Sequence, residues 1–237
     1  MEKRYKKLLF DLDNTLVDDD ENRKQAMEKI LIERKEKVNS EKLERFIEID
    51  NQFWKDRAEG KIKDPYKFKN NEEKTEWVRA QRFIKYFDIT LEEAIKVNEK
   101  YIEFFKCNIV PIKNSTEIIK YLYEKKYEIF IITNGAINAV NSKLEKIEVQ
   151  RYIKDIFSAE EVGHMKPHNE FFEGFFNKIN SFEKEEMLII GDELEKDMLG
   201  GIQNGIDACW FNPKKLDNSQ YKVNYEINDL LELKNIL

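Results

Sequence analysis

The chain has 237 residues, 41% apolar and 37% charged, an ordinary globular composition with enough length for a real core in one large or two small domains. Its 41 Lys and Arg against 47 Asp and Glu give a net charge of −6; this excludes the basic footprint of a nucleic-acid polymer binder and does not favour an anionic membrane surface, while a local site can still oppose the global sign and take a small anionic substrate. No apolar segment approaches the ~20 residues that span a bilayer, and the short apolar run near the start ends in acids, unlike a signal peptide. Cys107 and Cys209 are far apart and outside metal-type spacing, so they are expected to be reduced, buried, small apolar residues of a cytoplasmic protein.

In chain order, "KKLLF" (6–10) reads as a short buried strand. It runs straight into "DLDNT" (11–15), with two carboxylates one residue apart. Residues 17–107 are charged, with apolar residues three to four apart and almost no strand signal, which predicts about four helices forming a bundle. Ser40 and Thr90 are the expected N-caps of two of them, and "KIKDPYKFKNN" is the loop that breaks the pattern. The acids of "DDDEN" (18–22) are expected on a solvated face at the acidic start of the first helix.

After "NIVPIK" the character changes. A helix is predicted over 116–126, a strand over 127–133, a short strand and loop over 156–162, a helix opening with Pro over 167–179 and a strand over 187–191. A glycine-ended helix follows in "DELEKDMLGGIQNG", then a strand over 206–211, one more around 223–229 and a last helix in "LLELKNI". Strands alternating with helices argue an α/β core, a doubly wound, Rossmann-like parallel sheet with helices on both faces. The expected domains are therefore a core of residues 1–16 and 108–237 and an inserted helical-bundle cap of residues 17–107.

Ligands of such sheets bind beyond the carboxyl ends of the strands. The strands and the loop before 167 deliver Asp11, Asp13, Thr133, Asn134, Lys166, Asp192 and Asp197 to that rim. Clustered carboxylates need a cation, and hard oxygen ligands suit Mg²⁺ or Mn²⁺. With Lys166, such a cation neutralises a phosphoryl group; one aspartate can attack phosphorus, a second can move the proton, and Thr133 can hold equatorial oxygens.

"DLDNT", "TNG" (133–135), "KP" (166–167) and "GDELEKD" (191–197), in this order and each at an expected strand end, resemble the four motifs of the haloacid dehalogenase-like phosphohydrolases. The resemblance spans the chain, because the helical insertion after the first strand is similar to that family's cap. It implies that Asp11 is the nucleophile and metal ligand. Asp13 would be the general acid/base, its main-chain carbonyl also touching the metal. Thr133 is implied as a phosphate ligand with Asn134 beside it, Lys166 as the partner of nucleophile and phosphate, Asp192 as a direct metal ligand and Asp197 as the second acid of the fourth motif. Glu193 departs from the small hydroxyl residue common there, which leaves open how that loop meets the metal. Asp13 favours phosphate chemistry over C–Cl cleavage.

The implied function is a Mg²⁺-dependent phosphatase with an aspartyl-phosphate intermediate. The cap and "TNG" resemble most the branch of nucleoside 5′-monophosphate phosphatases that includes pyrimidine 5′-nucleotidases. A phosphoglycolate or sugar-phosphate phosphatase, a phosphomutase and a non-catalytic phospho-ligand binder are the alternatives. The expected partner is a small phosphorylated metabolite, with no nucleic acid or membrane and with the chain a monomer or homodimer. Other residues take structural readings: His164 and His168 on the surface or in loop packing, the "FFEGFF" run in the core, Trp54, Trp77 and Trp210 in packing, and Arg57, Arg79 and Arg82 exposed on the bundle.

Overall fold

The computed structural model describes residues 4–65, 67–180, 183–217 and 221–237. Tyr66, inside the expected loop of the bundle, lies outside them. The chain divides into two compact units, Met1–Asp19 with Ile109–Leu237, and Asp20–Asn108.

Among the described residues the first unit carries six parallel strands: β1 (Lys7–Phe10), β2 (Glu128–Thr133), β3 (Asp155–Ser158), β4 (Met187–Gly191), β5 (Asp207–Phe211) and β6 (Tyr225–Ile227). Their spatial order is β3-β2-β1-β4-β5-β6. The fold is thus the α/β doubly wound, Rossmann-like sheet expected. The order reverses at β1, which pairs with β2 on one side and β4 on the other, and such a reversal opens a crevice for a ligand. The central strands are apolar throughout because both faces are covered. Alternation sends Leu8, Phe10, Ile129, Ile131, Leu188 and Ile190 into one core and Leu9, Phe130, Ile132, Met187 and Ile189 into the other. Helices α5 (Ser115–Glu124) and α6 (Ile137–Lys146) close the first through Ile118, Leu122, Val140 and Leu144. A one-turn helix, α7 (Ala159–Val162), follows β3, and α8 (Asn169–Ile179) closes the second core with Phe171, Phe172, Phe175 and Phe176. The "FFEGFF" run is core, as its spacing implies, with edge-to-face contacts to Phe157 and Phe130.

Several boundaries moved. Helix α6 was not anticipated from the sequence. The helix expected to open on Pro167 starts at Asn169, with His168 in the N-cap position. The helix after β4 is wound as a π-helical turn, Leu194–Leu199, running into a helical turn at Gly200–Gln203, and the last helix is a 3-10 segment, Leu230–Asn235.

The second unit packs α2 (Ser40–Ala58), α3 (Asn71–Phe87) and α4 (Leu91–Cys107) with α1, which runs Asp19–Glu33 from the end of the first unit. Its core gathers Met27, Ile30, Phe46, Phe83, Tyr86, Ala94 and Tyr101. Thr90 caps α4 with a full capping box to Glu93. The cap of α2 is Asn39 rather than Ser40: the Asn39 side chain accepts from the Lys42 N–H at 2.9 Å, and Ser40 is already helical. Arg82 is not exposed. It is buried, and its guanidinium donates to Asp50 at 2.8 Å and Asn98 at 3.1 Å, because its helical position lies on the core side and Asp50 supplies the counter-charge. Arg57 is half-buried on Asp64 and Arg79 half-buried. Trp54 donates to Asp50 from an exposed ring, and Trp77 packs on Phe68. Cys107 is exposed at the end of α4, whose buried stripe runs through Ala94, Val97 and Tyr101; Cys209 is buried, and both are free thiols. No helix among the described residues is long and apolar enough to cross a membrane.

Candidate active site

Strand β1 ends at Phe10, and the Asp11 N–H still donates to the Ile190 carbonyl at 2.9 Å. Asp11 is therefore fixed by the sheet itself. The chain then turns sharply: Asn14 takes a left-handed conformation (φ 62°), and the N–H groups of Leu16 and Val17 return to the Leu12 carbonyl at 2.9 and 3.0 Å. The following residues are tied to the second crossing of the chain, with the Asp18 N–H on the Val110 carbonyl at 2.8 Å.

Four elements bring their side chains to this end of β1. Lys166 is buried, and its ammonium donates to Asp11 Oδ1 at 2.6 Å, Asp197 Oδ1 at 2.6 Å and the Ile132 carbonyl at 2.9 Å. Burial alone would pull this lysine down, but the two carboxylates hold it above its ordinary value. Burial pushes Asp11 up to about 6, with Lys166 opposing and Asp197 adding to the shift. Asp192 is pushed up to about 9 by burial and then by the charges of Asp11 and Asp197. One carboxylate oxygen from each of Asp11, Asp192 and Asp197 lies within 4.8 Å of the others. A single ammonium faces three acids, so the cluster carries excess negative charge, and an all-oxygen donor set of this kind fits a hard divalent cation.

Thr133 closes β2, buried, with its Oγ1 accepting from the Gly135 N–H at 3.0 Å. Asn134 is committed to the Lys166 backbone: its Oδ1 accepts from the Lys166 N–H at 2.7 Å and its Nδ2 donates to the Lys166 carbonyl at 3.1 Å. The side-chain amide thus latches the loop that carries Lys166, whose peptide to Pro167 is cis. Glu193 is exposed and receives Lys196 at 2.6 Å, while its N–H donates to Asp197 Oδ2 at 3.2 Å. Trp210 is buried in packing and donates to the Asp192 carbonyl at 2.8 Å. His164 and His168 are exposed.

Asp13 stands apart from the acidic trio. Its Oδ1 accepts from Lys143 at 2.5 Å, and Lys143 also donates to Asp19 Oδ1 at 2.9 Å. Asp19 is thus half-buried in an ion pair rather than simply solvated. Sequence reasoning missed Lys143 together with its helix. The available signal was its place among Ile137, Val140, Leu144 and Ile147, an apolar helical stripe in which a lysine is out of character.

Gly191 permits the close approach of Asp197: a Cβ there would lie 2.4 Å from Asp197 Oδ2. Gly191→Ala must push that carboxylate off Lys166. The expected result is a loss in kcat of about tenfold to a hundredfold, the cost of an ångström-scale misplacement, with an unchanged circular dichroism spectrum; full activity in steady-state assays would contradict this.

Residues 8–211 match the family model described as haloacid dehalogenase-like hydrolase. The HAD-hydrolase YfnB of Bacillus subtilis is 29% identical over 99% of this chain and 96% of its own. The pyrimidine 5′-nucleotidase PynA of Streptococcus pneumoniae is 28% identical over 98% and 97%, and a glyceraldehyde 3-phosphate phosphatase of Methanocaldococcus jannaschii 25% identical over 98% and 96%. The crystal structure of YfnB, bound to magnesium, superposes with a TM-score of 0.82 over 99% of both chains at 29% identity. With the motif residues on one sheet edge and a family match over most of its length, the chain belongs to the haloacid dehalogenase-like hydrolase family, as an enzyme of the phosphoric monoester hydrolase class.

Proposed function

We propose that the protein is a Mg²⁺-dependent phosphatase that passes through an aspartyl-phosphate on Asp11 and acts on a small phosphorylated metabolite, a pyrimidine nucleoside 5′-monophosphate first. The observation that carries this reading is the buried Asp11–Lys166–Asp197 array beside Asp192 at the switch point of the sheet. Asp11, Asp192, Asp197 and the main-chain carbonyl of Asp13 would hold Mg²⁺, with Mn²⁺ the alternative. When bound, the cation offsets the charge of the carboxylates and of the phosphoryl oxygens.

The chain's own groups supply the rest. A carboxylate oxygen of Asp11 attacks phosphorus, and the bond from phosphorus to the ester oxygen breaks. Asp13 gives its proton to that leaving oxygen. Asp13 then takes a proton from water as the water oxygen attacks the phosphorus of the aspartyl-phosphate, releasing inorganic phosphate and restoring Asp11. Lys166, held at the carboxylate by Asp197 and latched through Asn134, and the Thr133 hydroxyl hold the equatorial oxygens where transition-state charge spreads. The helical unit acts as the cap that sets specificity.

The preference for nucleotides rests on the pyrimidine 5′-nucleotidase relative. The glyceraldehyde 3-phosphate phosphatase relative supports a sugar-phosphate substrate as the second reading. The test is phosphate release from nucleoside monophosphates, sugar phosphates and phosphoglycolate, with Mg²⁺ and with EDTA. Metal-dependent release led by pyrimidine monophosphates is expected. A sugar phosphate in the lead would replace the substrate but not the class; no release from any ester by folded protein would overturn the phosphatase reading, and a phosphorylated isomer in place of free phosphate would make the protein a mutase.

A further inference from the structure

Lys143 stands out as a buried cation that the steps above do not use. On α6 it shares a face with Val140 and Leu144, both in the core. Only 6% of it is exposed. A lysine on an apolar face ordinarily lays its stem on the core and sends its ammonium out to water. This one points inward and ends between two carboxylates, 2.5 Å from Asp13 Oδ1 and 2.9 Å from Asp19 Oδ1. With its ammonium buried and shared between two carboxylates, the arrangement is a fixed ion triad rather than a chance surface pair.

The consequence falls on Asp13. Its side chain is 37% exposed, and a short exposed carboxylate samples several rotamers unless something fixes it. Lys143 takes one oxygen. The other, Oδ2, faces the turn after β2: it lies 3.9 Å from the point where a Cβ on Gly135 would stand, and that point is 3.2 Å from Thr133 Oγ1. Asp19 braces the ammonium from the other side, at the first residue of α1. The lysine, with its stem packed in the core and its head shared, has little freedom to follow Asp13 elsewhere.

We propose that Lys143 is a positioning residue for proton transfer: it holds the Asp13 carboxylate with Oδ2 turned toward the Thr133–Gly135 turn, and it acts on the leaving group only through Asp13. The inference rests on the reading of Asp13 as general acid and deepens it. Asp19, an acid expected to be merely solvated, becomes the brace.

Leaving-group chemistry separates this role from a structural one. An alkyl phosphate needs its departing oxygen protonated; p-nitrophenyl phosphate does not, because the phenolate leaves unaided. For Lys143→Met, kcat/KM on the best alkyl ester, which reports the steps up to leaving-group departure, is expected to fall about tenfold to a hundredfold, at or below the lower end of the 10²–10⁴ that a general acid supplies. With p-nitrophenyl phosphate the loss of kcat/KM should stay within about threefold, although kcat falls on both esters because water attack on the aspartyl-phosphate also uses Asp13. Asp13→Asn should show the same selectivity in kcat/KM with larger amplitude, and adding Lys143→Met to it should cost the alkyl ester nothing further, since the two act as one unit. A retained aryl kcat/KM also reports a folded site; if the Met variant does not fold, Lys143→Gln carries the same comparison. Equal losses of kcat/KM on both esters at an unchanged melting temperature, or an additional alkyl loss in the Asp13→Asn background, would overturn the proposal. Failure of the phosphatase reading would look different: the wild type itself would release no phosphate from either ester.

Discussion

Asp11→Asn should abolish turnover, lowering kcat by a factor on the order of 10⁴ or more, the scale seen when a covalent nucleophile is removed. The substitution is nearly isosteric, and the Asp11 N–H bond to the Ile190 carbonyl belongs to the backbone, so the fold has no reason to change. What changes is chemistry. An amide is no nucleophile toward phosphorus, and it brings one fewer charge to the Asp11, Asp192 and Asp197 cluster. The metal-free variant should accordingly be at least as stable as the wild type, because a buried carboxylate that desolvation pushes up to about 6 disfavours folding at neutral pH. The sign follows from proton binding: above the unfolded-state value of roughly 4, the unfolded chain releases this proton more readily, so stability falls as pH rises toward 6. Steady-state kinetics beside thermal melts at pH 7.5 check both halves. Normal turnover, or an unfolded variant, would count against the assignment.

Lys166→Met should cost both stability and activity. The ammonium is buried and bonded to Asp11, Asp197 and the Ile132 carbonyl. Its removal leaves two buried carboxylates without a counter-charge, at a cost of about 3–5 kcal/mol. The penalty depends on pH in a defined direction. Lys166 itself stays charged through the neutral range, since its partners hold it above its ordinary value. The carboxylates it leaves behind relieve their repulsion by taking up protons. The gap in melting temperature between variant and wild type, measured without metal, should therefore narrow from pH 8 toward pH 5. A gap that is flat or widens as pH falls would mean that the lysine does not neutralise these acids.

The parts of the fold that the sequence displays most clearly are those where local and global demands agree. β1, β2 and β4 are apolar runs because the sheet covers both their faces, and each ends on a polar motif because the chain leaves the core there. Asp11, Lys166, Asp192 and Asp197 are legible for the same reason: each sits where a buried strand or its loop breaks off. What escaped lies where one residue contradicts its surroundings. Helix α6 carries few apolar residues, and its buried face includes Lys143, so the stripe reads as weak until the carboxylates it meets are known. Arg82 and Asp50 are buried charges that only their mutual pairing makes tolerable, and no spacing rule announces a partner 32 positions away. The π-helical winding of Leu194–Leu199 carries Asp197 beneath the close approach at Gly191, and helical periodicity alone does not distinguish it from an ordinary turn. Asn134, placed by the sequence only beside the phosphate ligand Thr133, has both ends of its amide on the Lys166 backbone, a pairing with a residue 32 positions away that local spacing does not announce.

The most direct test of the central claim is to quench the enzyme in acid during turnover of its best phosphomonoester and locate any phosphoryl group by peptide mass spectrometry. One phosphoryl group is expected on the peptide carrying Asp11, absent from Asp11→Asn and more abundant in Asp13→Asn when an aryl ester loads it, because the water-attack step then lacks its base. Rapid turnover with no label on that peptide, or with the label on another residue, would contradict it.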